Sequence, residues 1–348
     1  SEDGTSKVWN FTTGQEVLSL RHNGPVYQAV WNNTDSLILT ASADGTVRVW
    51  DAETGSEQLV LSHNEPVHEA FWNSSETEIL SDCCDGGATV WDAVTGEKRL
   101  VLTSGRSLRK VAWNANSSCI LTLEDGGLMA RVWDATTGEE IFALKDSIDA
   151  SWNADGSLIA TQHSHQMTIW DATNGSEMFT FYSEEFISQT VWDQTGTLVI
   201  LVTERGTGQV YNAKTGQRIF TIRPIGKVIN WSKNNASILT SSGLWSLSQG
   251  YEYRTFVHNN TITKVVISHD ASKLLTLSTD GIARIWDINT GMQILAYSHG
   301  ESVHDAAWNQ SDTLVFTVGQ SFVKIWDAND GHEVSSLMHD QTIGQIRS

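Results

Sequence analysis

The chain of 348 residues is short of several things, and each shortage removes a class of answer. Cysteine is scarce: Cys83, Cys84 and Cys119 make an odd set without metal-ligand spacing, so no disulfide framework or zinc site organises the fold. Adjacent Cys83 and Cys84 would face opposite sides of a strand, which suits buried thiols. Long apolar runs are missing too, and nothing approaches the roughly 18 residues of a membrane-spanning helix. Positive charge is in short supply: 22 Lys and Arg against 41 Asp and Glu leave a net charge of −19. Such a surface repels phosphate backbones and anionic lipid within a Debye length, so nucleic acid is not an expected partner. The first residue is not Met and no signal-like segment follows it, so the start of the sequence assigns no compartment.

Catalytic signatures are lacking as well. The sequence has no G-x-S-x-G, H-E-x-x-H or P-loop, no G-x-G-x-x-G leading into a helix, and no segment that reads as a helix of useful length. The stretch "HSHQ" puts His163 and His165 on one strand face, which would hold a metal only with further ligands, and two exposed histidines at a hairpin is the simpler reading. "ADGT" and "NADGS" lack the ladder of oxygen ligands of a calcium loop and read as hairpin turns. No catalytic residue, metal or cofactor is expected. Sequons stand at Asn10, Asn32, Asn73, Asn116, Asn174, Asn230, Asn235, Asn259 and Asn309, mostly in inter-strand turns where Asn and Ser are favoured anyway.

What the chain has in abundance is repetition. One marker series, "VWD" and its variants, falls at Trp9, Trp50, Trp91, Trp133, Trp170, Tyr211, Trp286 and Trp326. A second interleaves with it at Trp31, Trp72, Trp113, Trp152, Trp192, Trp231, Ile267 and Trp308. Two independent markers keep one period, which is the signature of a repeat architecture. Within residues 26–66 the pattern is all β: "VYQAVWN" alternates, "SLILTAS" is a buried strand, "ADG" a tight hairpin, "TVRVWD" a third strand, "AETG" a turn and "SEQLVLSH" a fourth strand. Four short antiparallel strands per unit make one propeller blade.

On these motifs the chain resembles the WD-repeat β-propellers over essentially its whole length. The resemblance implies an all-β propeller of about eight four-stranded blades, seven being possible, with incomplete strands at both termini. Residues 1–25 supply the third and fourth strands of one blade, 26–342 eight repeats, and 343–348 the first strand of a further blade. The chain thus reads as a cut through a longer array, or as an edge that another chain completes. The family's buried set of His, hydroxyl, Asp and Trp matches here as His22, Ser42, Asp44 and Trp50, and as His258, Ser278, Asp280 and Trp286. It matches again as His63, Cys83, Asp85 and Trp91, with a thiol in the hydroxyl place. These groups are expected to be structural, because a buried indole N–H and carboxylate each need a partner.

Members of the family meet partners at the channel mouth, and the corresponding positions are Tyr27, His68, Arg109, Asp149, Ser188 and His304. Unit 227–262 departs most from the pattern and reads as having lost its "WD". No acidic residue lies between Glu204 and Glu252, whereas Arg205, Lys214, Arg218, Arg223, Lys227 and Lys233 do, so this sector is a candidate for docking an acidic surface, a second copy included. The leading expectation is a non-catalytic protein-interaction scaffold. The alternatives are a structural protein that assembles into a polymer or filament through its terminal strands, or the sensor or repeat region of a longer multidomain protein.

Overall fold

The computed structural model describes residues 1–10, 15–83, 86–126, 129–222, 228–231, 237–240, 244–246, 252–254, 262–270, 272–288, 290–300, 302–319 and 322–338. Among them are nine antiparallel sheets and no helix, as the repeat pattern requires. Sheet 1 has two strands, Thr5–Asn10 and Gln15–Arg21. Sheets 2 to 9 each have four, joined in chain order, over residues 26–62, 70–103, 108–145, 149–182, 187–222, 228–254, 262–298 and 305–338.

Sheet 2 shows why these residues make such an element. Its second strand, Leu37–Ser42, is flanked on both sides by strands and covered on both faces, so it reads as a nearly continuous apolar run. Side chains alternate: Leu39 and Ala41, with Val47 and Val49 of the third strand, pack against Val67, which leads into sheet 3, and against Ala70 and Ile79 of that sheet. Ile38 and Trp50 turn the other way and pack against Leu20 of sheet 1. The same interleaving recurs between sheets 3 and 4, 4 and 5, 5 and 6, and 8 and 9, so the core is a series of inter-sheet layers. Each fully buried Leu, Ile or Val contributes about 1.5–3 kcal/mol to such a layer. Fourth strands lie outermost, and Glu57–Ser62 exposes most of its length.

Two irregularities recur and set the functional geometry. One is a register shift between third and fourth strands immediately before the tryptophan, as at Val49/Trp50. The other is a bulge after the opening residue of the first strand, at Val26/Gln28, Leu108/Lys110, Ile187/Gln189 and Ile262/Lys264. A bulge leaves one extra residue unpaired and re-aims its side chain. Sheet 7 corrects one reading of the sequence. Ile238 pairs with Trp245 just as Ile38 pairs with Trp50, so this unit keeps its tryptophan, followed by Ser246 in place of Asp on a shortened hairpin.

At the end of the sheets that carries the first-to-second turns, neighbours are laced together. The Glu76 carboxylate of sheet 3 accepts from the backbone N–H of Asn33 and, at 3.0 Å, from Asn32 Nδ2. Ser117 Oγ of sheet 4 accepts from Ser74 N at 2.8 Å, and the Asp312 carboxylate of sheet 9 accepts from His269 N and Asp270 N at 2.9 Å each. Each lacing residue sits in left-handed backbone, with φ of 57°, 58° and 56° for Glu76, Ser117 and Asp312. The same turn position in sheets 5 and 6 is Gly156 and Gly196. Asn32, Asn73 and Asn309 are buried here with their amide groups bonded inside the turns, which takes three of the sequons out of reach of a glycan.

Candidate partner-binding site

The residues that look catalytic on paper form a closed clip. In sheet 2, Trp50 Nε1 donates to Thr40 Oγ1 at 2.8 Å, His22 Nε2 lies 2.7 Å from the same hydroxyl, and His22 Nδ1 lies 3.1 Å from Asp44 Oδ2. A neutral imidazole satisfies the chain: Nδ1–H donates to Asp44, and Nε2 accepts the hydroxyl proton of Thr40, whose oxygen accepts the indole N–H. The hydroxyl is therefore Thr40 and not Ser42, which instead donates to the carbonyls of Gly24 and Pro25 at 3.1 and 2.9 Å. The reason is register: Ile38 faces Trp50, so Thr40 is its diagonal neighbour on the same face, whereas Ser42 is two residues, about 6.6 Å, further along.

The same correction applies elsewhere. In sheet 3 the linking hydroxyl is Ser81, 2.8 Å from both His63 Nε2 and Trp91 Nε1, in place of Cys83. Cys83 ends the second strand, Glu78–Cys83, and the side chain of Cys83 and all of Cys84 and Asp85 lie outside the described residues. In sheet 8 Trp286 Nε1 donates to Thr276 Oγ1 at 2.7 Å, not to Ser278. Asp280 there pairs with Arg284 at 3.0 Å, and His258 lies outside the described residues. Trp133 to Thr122, Trp170 to Thr161 and Trp326 to Thr317 complete the series at 2.8–2.9 Å. In sheet 6, Tyr211 stands in the tryptophan place and packs on Phe181, ring centroids 4.0 Å apart.

Burial holds the His22 imidazole below its ordinary value, and the Asp44 charge does not offset it. Burial pushes the Asp44 carboxyl up, but hydrogen bonds from the Thr46 hydroxyl and the Asn23 N–H, with the His22 ring, outweigh it and bring it to about 2. A depressed imidazole means that the unfolded chain takes up protons first, so its contribution is present above about pH 6.5 and is lost as pH falls below it. Asp44 contributes above about pH 4 and is lost between there and about 2. Urea midpoints followed from pH 8 to 4 are expected to decline from about pH 6.5 downward, and His22→Gln should flatten the upper part of that decline. A profile unchanged by the substitution would remove His22 as its cause.

The clips are shut from solvent; the opposite is true of residues at the end where each first strand begins, Tyr27, Arg109 and Ser188 at bulges and His68 and His304 just ahead of their strands. Tyr27, 51% exposed, stacks on His68 of the next sheet, ring centroids 5.1 Å apart and planes 26° from parallel. Arg109 of the sheet beyond is exposed, and its Nη1 donates to Ile148 O at 3.2 Å. Ser188 Oγ donates to Val202 O at 3.1 Å, and His304 is exposed on sheet 9. Asp149 does not belong with them. Sheet 5 lacks the bulge, so Asp149 pairs with Gln162 in the register place that Lys110 takes opposite Leu123. There it accepts from Lys110 Nζ at 3.1 Å, an inter-sheet ion pair repeated by Lys264 and Asp305 between sheets 8 and 9.

The basic sector is not one patch among the described residues. Arg205 lies in the turn between second and third strands of sheet 6, whereas Lys214 and Arg218 lie at the other end, beyond the third strand Gly208–Asn212. Arg223, Lys227 and Lys233 lie outside the described residues. His163 pairs with Gln166 across a two-residue hairpin, and His165 is half-buried against Phe186 at 4.2 Å, not exposed. Among the described residues, Asp327, Asp330 and His332 are the group whose ligand atoms could converge on a cation, all within 4.8 Å in one exposed turn of sheet 9. Among the described residues no helix is long and apolar enough to cross a membrane.

Four-stranded sheets packed face to face in sequence, six of the eight closed by a tryptophan-to-hydroxyl clip among the described residues, define a repeat β-propeller. Two family models match the sequence: one described as WD domain, G-beta repeat, over residues 14–51, and one described as outer membrane protein assembly factor BamB, over residues 84–340. The second model spans more than half of the chain, which therefore belongs to the repeat family that this model describes, and residues 14–51 match a WD repeat. A guanine nucleotide-binding protein subunit beta-like protein of Encephalitozoon cuniculi (strain GB-M1) is 35% identical over 60 residues, 17% of this chain and 18% of that protein. The chain thus matches under a fifth of that relative's length. Among solved structures, the computationally designed Ika8 protein superposes with a TM-score of 0.65 at 20% identity, covering 90% of this chain and all of that one. The C-terminal WD40 domain of Sif2 gives 0.64 at 17% identity, covering 84% and 92%.

Proposed function

We propose that the protein is a non-catalytic scaffold that binds other proteins through the end of the propeller where the first strands begin. The observation that carries this reading is the run of exposed residues at this end of three successive units: Tyr27 and Arg109, which first-strand bulges re-aim, and His68, which leads into the first strand of sheet 3 and stacks on Tyr27. Rigid aromatic and guanidinium groups give contact area plus a directed polar contact at low entropic cost, which is what interface anchors need. The polar sets that could have served catalysis are instead occupied in buried clips. The names of the similar proteins, a subunit-like protein and an assembly factor, describe association as well.

A photo-crosslinking amino acid placed at Tyr27 is expected to capture a discrete partner in native extract. The same probe at Val94, 80% exposed at the opposite end, should capture none. Capture from Val94 alone would overturn the reading. A second reading rests on sheet 1, where the strand Thr5–Asn10 is paired along one edge among the described residues. Such an edge accepts a strand from another chain. A probe at Lys7 that crosslinks to a second copy of the protein would support assembly through this edge.

A further inference from the structure

Between sheets 3 and 4, at the end that carries the bulge residues, lies an open pocket of about 300 Å³ lined by His68, Glu69, Asp82, Leu108, Arg109 and Asp125. Asp82 is the unusual member. It stands in the register place that Ala41, Leu123, Gln162, Leu277 and Val318 fill in other sheets, a place otherwise apolar or amide. It is 4% exposed, and its Oδ1 accepts from Glu69 N at 2.8 Å. Among the described residues no lysine or arginine nitrogen lies within 4 Å of its carboxylate. Burial pushes the Asp82 carboxyl up, partly relieved by the Glu69 N–H and the neighbouring His68.

A carboxylate buried without a cation costs stability, and buried charges are ordinarily paired. Among the described residues the guanidinium lining the pocket does not fill this need, because Arg109 reaches the other way to Ile148 O. Asp125 Oδ1 accepts from Gly126 N, and Glu69 adds a third acidic group to the lining. We propose that the pocket receives a single basic side chain, a lysine or arginine of a partner protein, with Asp82 as its carboxylate and the stacked Tyr27–His68 pair beside its entrance.

The size agrees: about 300 Å³ is at the lower limit of ligand sites and suits one side chain better than a whole small molecule. The net charge of −19 favours approach of a basic segment. A cation–π contact with the exposed face of Tyr27 would add to the ion pair. The inference rests on the proposed role of this end of the molecule and names the chemistry that it recognises.

The test titrates the full chain into a fluorescein-labelled nonapeptide, Gly-Ser-Gly-Ser-Arg-Ser-Gly-Ser-Gly, and into the same peptide with citrulline replacing Arg, by fluorescence anisotropy. The arginine peptide is expected to bind at least tenfold tighter. Asp82→Asn, which keeps an acceptor for Glu69 N, should abolish that preference. Asp82→Leu, the residue type found in this place in sheets 4 and 8, should abolish it while raising the unfolding midpoint, so the test survives if the Asn variant folds poorly. Equal binding of both peptides by the native chain, or a preference that persists in either variant, would overturn the inference. Crosslinking from Tyr27 that is indifferent to Asp82→Asn would overturn it too, yet leave the scaffold reading standing.

Discussion

Thr40→Val is expected to lower the stability of the protein by about 3 kcal/mol, whereas Ser42→Ala should cost about 1 kcal/mol. Valine keeps the shape of threonine, so the effect isolates the hydroxyl. Without it the Trp50 indole N–H and the His22 Nε2 both lose their partner inside the layer between sheets 1 and 2, where neither can reach water. Each stranded buried group costs about 1–3 kcal/mol. Loss of the Ser42 hydroxyl strands less: Pro25 O keeps the Ala43 N–H at 2.8 Å. In a repeat protein the loss is felt by the mutated sheet and its neighbours, so urea unfolding read by tryptophan fluorescence is the measurement. A larger shift for Ser42→Ala than for Thr40→Val would place the clip on the wrong residue.

Gly196→Ala should be of similar size, about 3 kcal/mol, for two reasons that add. The residue has φ of +68°, where an L side chain costs about 1 kcal/mol. A Cβ there would also lie 2.7 Å from the backbone nitrogen of Ala154 and 3.0 Å from Asn153 Nδ2, so sheets 5 and 6 would have to separate at the turn. The separation strains the bond by which Asn153 Nδ2 donates to Gly196 O at 3.1 Å. Gly105→Ala is the control: φ is +81° but nothing lies within 4 Å of its added Cβ, so only the conformational cost of about 1 kcal/mol remains. Equal drops in the thermal unfolding midpoint for the two variants would mean that the collision is relieved at no cost.

Much of the fold was open to reading in the sequence because the two tryptophan series are independent and keep one period. The site was less so, for reasons that are geometric. The S-x-D spacing around Ser42 and Asp44 is as regular as the I-L-T and I-L-S triplets that end at Thr40 and Ser81, and only strand register decides which hydroxyl sits diagonal to the indole. A signal was there: Thr40, Ser81, Thr122, Thr161, Thr276 and Thr317 stand nine to eleven residues before their tryptophans. Asp149 was aligned with Arg109 because one missing bulge residue is invisible to a pattern that counts from the opening apolar position. Asp82 gave no warning, since its partners in the pocket come from two sheets, and whether a strand residue faces a neighbour or its own sheet's loop depends on a register that one sequence does not print.

The turn lacing has a direction. Glu76, Ser117 and Asp312 each belong to the later sheet and grasp backbone amides of the earlier one, and the Trp152, Trp192 and Trp308 indoles likewise donate to carbonyls of the preceding sheet, Ala112, Ser151 and Val266. In every one of these joints the earlier sheet offers a main-chain group, with the Asn32 amide and the His269 ring adding to it, and the newcomer brings the side chain or indole that fastens it. Synthesis proceeds in that same order, so a nascent chain can fasten blades one at a time onto main-chain groups that the preceding sheet already presents.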